Sequence, residues 1–393
     1  MHPKTASEQT MWSRPVREIS CKSTDSAINS KYREGEQRIV TESNREKIPN
    51  FVDALSKHGY MNVRPFYQRR KRWNNKQKSR LIESFIMNIP VPPLFVYEKD
   101  FNQYEVMDGQ QRISALREFY NGEFKLTGLD IWPELNGRTY SKLPAQVRQG
   151  LDRRSISYII VLKESSEDED SAVFLQQTVF ERLNTGGVKL ERQEIRNCLF
   201  QGKFNELLLE LSANPLLREA WGIPLIDAEN SDDPTLSQNT TYLKMKDVEL
   251  VLRFFALRHA EHYARGMQGF LDLYMSRAQH FNDEDLEVLR ALFTETIETA
   301  HQIFKDLLFK PFSTKRNEWL KAPSAALFDA QMVSIAQHLK TADRLIENGE
   351  SIRESTKHLF MENEERTFTG QGNTKLDIIN RISKFSEMIS RFA

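Results

Sequence analysis

The residues best suited to chemistry lie in one short polar turn between two apolar segments. A predicted strand at 104–107, with the sequence Tyr-Glu-Val-Met, precedes five residues, Asp108, Gly109, Gln110, Gln111 and Arg112, and helical spacing of apolar residues follows directly. The first turn of a helix exposes backbone N–H groups and a partial positive charge, so it favours anions. Gly109 lets the backbone approach a ligand closely, and Arg112 offers a planar fork of donors matched to phosphate. The turn therefore predicts a phosphate-contacting site.

Each side chain of this turn has a candidate role. Gln110 and Gln111 are uncharged donors and acceptors that suit the orientation of a water or a base edge, and Arg112 adds positive charge. We assign these three residues the catalytic roles. Asp108 is a candidate ligand for a metal ion such as Mg²⁺. An alternative stays open, in which Asp108 is only the N-cap of the next helix and the rest is solvated surface.

A second polar stretch, at 64–74, interleaves basic and aromatic residues. Residues 61–80 contain eight basic residues and no acidic one, whereas the whole chain balances 55 basic against 55 acidic residues. Basic residues beside aromatic ones suit phosphate contacts and base stacking. We assign DNA contacts to Arg70, Lys71, Arg72 and Lys76. The alternative is a solvated basic face whose aromatic residues turn inward.

A third polar stretch ends a helical pattern at 184–187, with the sequence Asn-Thr-Gly-Gly. Gly186 is expected to stop the helix in a left-handed conformation, and another helix is expected from Leu190 onward. Asn184 at such a helix end is placed to reach a ligand. A purely structural turn is the alternative.

Taken together, the three stretches resemble the N-terminal domain of GmrSD-type restriction endonucleases, a branch of the ParB/sulfiredoxin-like fold. That family has a Pro-x-x-Gln-Arg-x-x-x-Trp segment, a hydrophobic helix ending in Pro-x-Pro and an Asp-Gly-Gln-Gln-Arg signature. A Phe-x-Arg-(Leu/Ile)-Asn-Thr-Gly-Gly segment then precedes a Glu-Ile/Leu-Arg-Asn helix. All of these occur here in order, at 65–73, 81–93, 108–112 and 180–197. The resemblance covers residues 45–205.

The resemblance implies a nucleotide-binding domain, in some members a nucleotide hydrolase, that acts in restriction of foreign or modified DNA. By position, residues 108–112 form the phosphate-contacting site, and Gln68, Arg69 and Asn184 join them in binding the nucleotide. The expected ligand is a nucleoside triphosphate with Mg²⁺. DNA and a separately encoded nuclease or defence partner are the other expected partners.

The chain departs from full-length members of that group, which add a His-Asn-His-type nuclease domain. No such motif surrounds any of its eight histidines. His259 and His262 lie one helical turn apart, which suits either a metal site or a structural pair. Asp108 with the Glu-Phe-Lys sequence at 123–125 imitates the carboxylate set of another nuclease class. No P-loop motif is present, which excludes a P-loop ATPase.

The elements that must position these residues follow from apolar spacing. From residue 50 to 200, short β-rich runs alternate with helical patterns, among them a helix over 76–89, a hairpin of 94–97 with 104–107, and a strand at 157–162. Beyond residue 200 the strand signal fades. Long amphipathic segments follow at 203–220, 244–265, 284–309, 323–346 and 374–392.

We therefore predict an α/β (α+β) ParB/sulfiredoxin-like domain followed by an all-α helical domain. The expected divisions are a flexible N-terminal arm at 1–40, the nucleotide-binding domain at 41–205 and the helical domain at 206–393. The arm is polar and cannot bury enough surface to offset its ordering entropy. No apolar run approaches the length of a membrane span, and two cysteines cannot form a disulfide framework, so a cytoplasmic protein is expected.

Three functional hypotheses remain from the sequence. The leading one is a nucleotide-binding, nucleotide-hydrolysing protein of restriction, phage defence or DNA-associated regulation, without a nuclease domain of its own. The second is a non-catalytic DNA-binding module that uses the basic stretch at 61–80. The third is a structural adaptor that acts through its helical half.

Overall fold

The computed structural model describes residues 4–13, 24–34, 41–56, 61–62, 73–162, 178–179, 182, 191–200, 202–225, 235–362, 366–369 and 372–393. The chain divides into two compact units. The α/β unit is Lys22–Leu190, and the helical unit combines Met1–Cys21 with Glu191–Ala393.

Within the described residues, the α/β unit is built on a mixed sheet of five strands. Its strands are Thr41–Lys47 (β1), Met61–Asn62 (β2), Leu94–Asp100 (β3), Gln103–Asp108 (β4) and Ser155–Val161 (β5). Their order is β1-β5-β3-β4-β2, with β1–β5 and β3–β4 antiparallel and β5–β3 and β4–β2 parallel. The predicted hairpin is confirmed, since Val96 pairs with Val106. A mixed α/β architecture is therefore confirmed for this half of the chain.

Helices pack against this sheet through buried apolar side chains. The α-helices of the unit whose bounds lie within the described residues are Asp25–Glu34, Ile48–Leu55, Asn75–Ile86, Gln110–Tyr120 and Ala145–Asp152. The shared core combines strand residues and helix residues, among them Ile82, Leu94, Val96, Val106, Ile113, Leu116 and Phe119. The apolar positions of the Gln110–Tyr120 helix recur at helical spacing, so burying that face fixes the helix on the sheet.

One strand carries no apolar pattern. β1 has the sequence Thr-Glu-Ser-Asn-Arg-Glu-Lys, and nearly all of it is exposed. It is held by its backbone ladder with β5, which runs from Thr41 opposite Val161 to Lys47 opposite Ser155. The polar composition suits an edge strand, because an apolar edge invites further strand pairing.

The helical unit contains the longest helices of the described residues. Its helices are Ala6–Thr10, Arg192–Leu199, Lys203–Leu211, Pro215–Ala220, Thr240–Leu243, Lys246–Leu257, Gly266–Arg277, Asp283–Phe304, Ala325–Gln337, Ala342–Glu347, Gly349–Glu362, Arg366–Thr369 and Lys375–Ser390. All five amphipathic segments expected beyond residue 200 contain helix. A small ribbon of Phe312–Ser313 with Glu318–Trp319 interrupts them. Buried aromatic residues such as Phe254, Phe293 and Phe304 form the core.

The two units do not follow the divisions expected from the sequence. The helical unit begins at Glu191 rather than residue 206, and it includes the first residues of the chain. Burial explains both differences. The Arg196 side chain is fully buried among partners of the helical unit, and Glu8, expected in a flexible arm, is also fully buried there. None of the described helices is both long and apolar enough for a membrane span.

Candidate functional site

A glycine makes the turn from β4 into the Gln110–Tyr120 helix. Gly109 is the N-cap of that helix and has a φ of +100°, in the left-handed region. A Cβ added to Gly109 would lie 2.1 Å from Leu94 Cδ2 on β3. Both the backbone angle and the close approach to β3 therefore require glycine here.

The start of this helix presents backbone amides that lie ahead of the first intrahelical hydrogen bond. The first intrahelical bond runs from Ile113 N to Gly109 O at 2.9 Å, so the amides of Gln110, Gln111 and Arg112 precede the helical ladder. Among the described residues no side chain caps this end. The alternative in which Asp108 is the N-cap is wrong, because Gly109 occupies that position. Such a helix start favours anions, and phosphate binding at this turn stays a prediction.

Arg112 lies beside these amides, but it is engaged by the protein itself. Its Nη2 donates to Asp108 Oδ2 at 2.5 Å, and its Nη1 donates to the carbonyl of Pro92 and, at 3.3 Å, to that of Pro93. Burial lowers the pKa of the Arg112 guanidinium, and the charge and hydrogen bond of Asp108 oppose that shift. Arg112 thus joins the helix start to the proline segment before β3.

The two adjacent glutamines differ in their surroundings. Gln111 Oε1 accepts a hydrogen bond from Trp73 N at 3.1 Å, so this side chain holds the end of the basic stretch near the turn. Gln110 is half-buried, and its side chain makes no hydrogen bond with any residue that the structure describes. Of the two, Gln110 is the better placed to orient a water molecule.

Several expected site residues lie outside the described residues. These are Gln68, Arg69, Arg70, Lys71, Arg72 and Asn184, together with Gly186. Of the expected DNA contacts, the structure describes Lys76, which is exposed and whose Cδ would lie 3.0 Å from a Cβ on Gly128.

Two other cations of the basic stretch are engaged in ion pairs. Lys78 is buried with its Nζ 2.6 Å from Glu118 Oε2, whereas the exposed Arg80 lies 2.8 Å from Asp130 Oδ2. Part of the basic stretch therefore serves packing rather than an open cationic surface.

The alternative nuclease carboxylate set does not assemble. Asp108 precedes the Gln110–Tyr120 helix and Glu123 follows it, and a helix of that length spans about 16 Å. Phe124, between the two polar members of the Glu-Phe-Lys sequence, is buried in the core. Within the described ranges no group of three or more His, Cys, Asp or Glu residues is arranged to hold a metal ion.

The histidine pair in the helical unit is structural. His259 is fully buried, with Nδ1 accepting a hydrogen bond from Trp12 Nε1 at 3.0 Å and Nε2 donating to Glu8 Oε1 at 3.0 Å. His262 stacks on the Trp12 ring, with centroids 4.7 Å apart. Both ring nitrogens of His259 are thus engaged within the protein, and this disfavours the metal-site alternative.

The fold and the turn define a class: a mixed α/β domain with a strand–glycine–helix turn whose amides suit an anionic ligand. Residues 50–201 match the model of the family described as GmrSD restriction endonuclease, N-terminal domain, so this segment carries the domain that its motifs resemble. The match runs past the α/β unit into the Arg192–Leu199 helix of the helical unit. The comparisons with curated proteins and with solved structures give no match.

Proposed function

We propose that the α/β unit is a ParB/sulfiredoxin-like nucleotide-binding domain that hydrolyses a nucleoside triphosphate in restriction, phage defence or DNA-associated regulation. The observation that carries the proposal is the uncapped start of the Gln110–Tyr120 helix, within a segment that matches the restriction-endonuclease family. The proposal places the protein in the cytoplasm, where it acts with DNA and a separately encoded nuclease or defence partner.

The roles of the residues follow from their surroundings. The amides of Gln110, Gln111 and Arg112 bind the phosphates, because a helix N-terminus favours anions. Gln110 orients the attacking water, and Arg112 places positive charge beside the phosphates while holding the turn in shape. Phosphoryl transfer needs mainly positioning and charge neutralisation, which this arrangement supplies.

Asp108 fits a magnesium ion that arrives with the nucleotide. Its side chain is 31% exposed, and one of its oxygens pairs with Arg112. Magnesium keeps several waters and commonly uses one or two carboxylates together with substrate phosphates, so one carboxylate suffices. The ion would reduce the repulsion between the phosphates and an incoming nucleophile.

The test is phosphate release from ATP, GTP and CTP with Mg²⁺, with and without DNA. Gln110→Ala is expected to lower kcat about 100-fold while nucleotide binding is retained. Gln149→Ala, a change of an exposed glutamine on another helix of the unit, is the matched control and should leave turnover unchanged. Neither binding nor turnover in the wild-type protein would contradict the proposal.

A non-catalytic DNA-binding module is the second candidate, and the exposure of Lys76 favours it. Such a module binds DNA in a salt-sensitive manner that is indifferent to nucleotide. Arg70→Glu with Lys71→Glu, and separately Lys76→Glu, should then weaken binding to all DNA sequences alike. Unchanged DNA affinity in both variants would argue against this candidate.

A further inference from the structure

The first described residues of the chain are deeply anchored in the helical unit. We call residues 4–13 the N-terminal segment. Its Glu8 side chain is fully buried, and Oε1 accepts hydrogen bonds from Arg258 Nη1 at 3.0 Å, His259 Nε2 at 3.0 Å and Tyr274 Oη at 2.9 Å. Oε2 accepts from Arg258 Nη2 at 3.2 Å. Three side chains of the helical unit thus converge on one carboxylate.

These three side chains form a pocket that binds a carboxylate. The side chains of Arg258 and His259 are fully buried, as is that of Glu8, so the charges meet without water between them. Charged groups are rarely buried unless they are paired, and charge-assisted hydrogen bonds are about twice as strong as neutral ones. The pocket therefore discriminates strongly for a carboxylate over its uncharged amide analogue.

A second anchor lies four residues further along the segment. The Trp12 ring stacks on His262, and the guanidinium carbon of Arg277 lies 4.9 Å from its centroid. Its Nε1 donates to His259 Nδ1, so one histidine contacts both anchors. Tryptophan and arginine dominate the binding energy of many protein interfaces.

The segment itself is preorganised for this contact. Thr5 Oγ1 accepts from Glu8 N, and Glu8 Oε2 accepts from Thr5 N, each at 3.1 Å, which forms a capping box on the short Ala6–Thr10 helix. At the rim, Lys4 lies 2.7 Å from Glu261, and Ser7 donates to Asp285 at 2.5 Å. The ligand conformation is thus fixed by its own sequence, which lowers the entropy cost of docking.

We propose that the helical unit contains a peptide-recognition pocket for a glutamate and a tryptophan four residues apart, and that the chain's own N-terminal segment is its exchangeable ligand. The pocket belongs to the helical unit, whereas the proposed nucleotide site belongs to the α/β unit. The existence of the pocket therefore does not depend on nucleotide turnover. Release of the segment opens the pocket to another peptide that carries the same two anchors.

The test uses the full-length chain and a fluorescent peptide of residues 1–13. A full-length variant with Glu8→Gln and Trp12→Ala has a released segment, which trypsin cleavage after Lys4 verifies. The peptide should bind this variant roughly tenfold more tightly than it binds the wild-type chain, whose pocket is filled. A peptide with Glu8→Gln should bind the variant roughly tenfold more weakly than the unchanged peptide.

Two results of the peptide experiment would overturn the proposal: equal binding of both peptides, and no binding to a variant whose segment trypsin shows to be released. If sedimentation shows a wild-type dimer that Glu8→Gln converts to a monomer, the segment of a second copy fills the pocket, and occupation by the chain's own segment is excluded.

Hydrogen exchange of the wild-type chain covers the case in which the variant fails to fold. Residues 4–13 should exchange faster than the buried Ala325–Gln337 helix of the same unit, which indicates local release. Equal protection of both would mean that the segment leaves only on global unfolding, which contradicts an exchangeable ligand.

Discussion

Two arginines in the family-matched segment illustrate the difference between the two units. Arg196 in the helical unit is fully buried, and it donates to Asp272 Oδ1 at 2.7 Å, Glu249 Oε2 at 2.9 Å and Gln193 Oε1 at 3.1 Å, with Gln268 as a further partner. Arg112 in the α/β unit is 12% exposed and has one carboxylate and two proline carbonyls as partners.

The comparison separates two uses of one residue type. The hydrogen-bonding capacity of Arg196 is fully taken up by the protein, so its role is to hold the Arg192–Leu199 helix in place. Arg112 sits at an open helix start with fewer partners, so it can contribute to a ligand site as well as to the turn. A motif position alone does not distinguish these roles; the number and burial of the partners do.

The largest effect is expected at Arg196. Arg196→Ala leaves the carboxylates of Asp272 and Glu249 without their buried partner, and breaking such a pair costs about 3–5 kcal/mol. Urea unfolding measures the loss. Arg192→Ala is the matched control, because Arg192 is 39% exposed and 3.5 Å from the same Asp272, and it should cost less than about 1 kcal/mol. Equal losses of unfolding free energy in the two variants would show that full burial among several partners does not distinguish Arg196 from a partly exposed arginine.

The next effect concerns the turn that holds Arg112. Gly109→Ala places a Cβ against Leu94 on a backbone with φ of +100°, and the strain and overpacking should destabilise the protein by about 3 kcal/mol. Gly150→Ala, with open space around its Cβ in the Ala145–Asp152 helix, should instead stabilise by about 0.5–1 kcal/mol. Thermal unfolding measures the stability of both variants. An unchanged stability of Gly109→Ala would show that the turn is not tightly constrained.

Arg112→Ala should have a smaller effect on stability and a larger one on ligand binding. Its partners are two carbonyls and a partly exposed carboxylate, so the loss should be about 1–2 kcal/mol. Nucleotide binding, measured by calorimetry with ATP, GTP and CTP, should be abolished. If the variant binds nucleotide with wild-type affinity, Arg112 does not contribute to nucleotide binding and is a purely structural residue like Arg196.

The smallest effect is a pH dependence at Glu8, whose buried partner is a third arginine, Arg258. Burial alone would raise the pKa of Glu8, but the hydrogen bond from His259, the charges of Arg258 and His259 and the amide of Thr5 together lower it to about 2. A lowered carboxyl pKa stabilises docking above pH 4.5, and that stabilisation is lost as the pH falls towards 2.

Burial also lowers the pKa of His259, against the opposing effect of Glu8. Docking therefore favours the neutral ring and weakens further below the ordinary histidine pKa. At pH 3.5 the Glu8 contribution should have fallen by about 1 kcal/mol. The chain has five tryptophans, so the fluorescence of Trp12 is obtained as the difference from a Trp12→Phe variant, and its comparison between the wild type and Glu8→Gln follows this release. An identical pH profile in Glu8→Gln would exclude Glu8 as the titrating group.

Local patterns were enough to predict much of this molecule. The hairpin, the helix after Gly109 and the helices beyond residue 200 follow from apolar spacing, which reports burial within a few turns of chain. The turn at Gly109 was also found from the sequence, since glycine and the polar residues are adjacent there, and phosphate binding at this turn stays a prediction.

Features that depend on distant partners could not be predicted in this way. β1 has no apolar residue to mark it and is defined by pairing with residues 155–161. Glu8 lies in a polar stretch, and its partners Arg258 and His259 are 250 and 251 residues away. The start of the helical unit at Glu191 similarly depends on contacts of Arg196 with residues 249–272.

The separation between Glu8 and its pocket has a consequence for how the protein is made on the ribosome. Glu8 is synthesised 250 residues before its partner Arg258. At ordinary elongation rates this interval lasts roughly 10–50 s. During that time the N-terminal segment has no pocket to occupy, because the α/β unit is still being translated. A chaperone or another nascent chain that recognises the segment can bind it before the pocket forms.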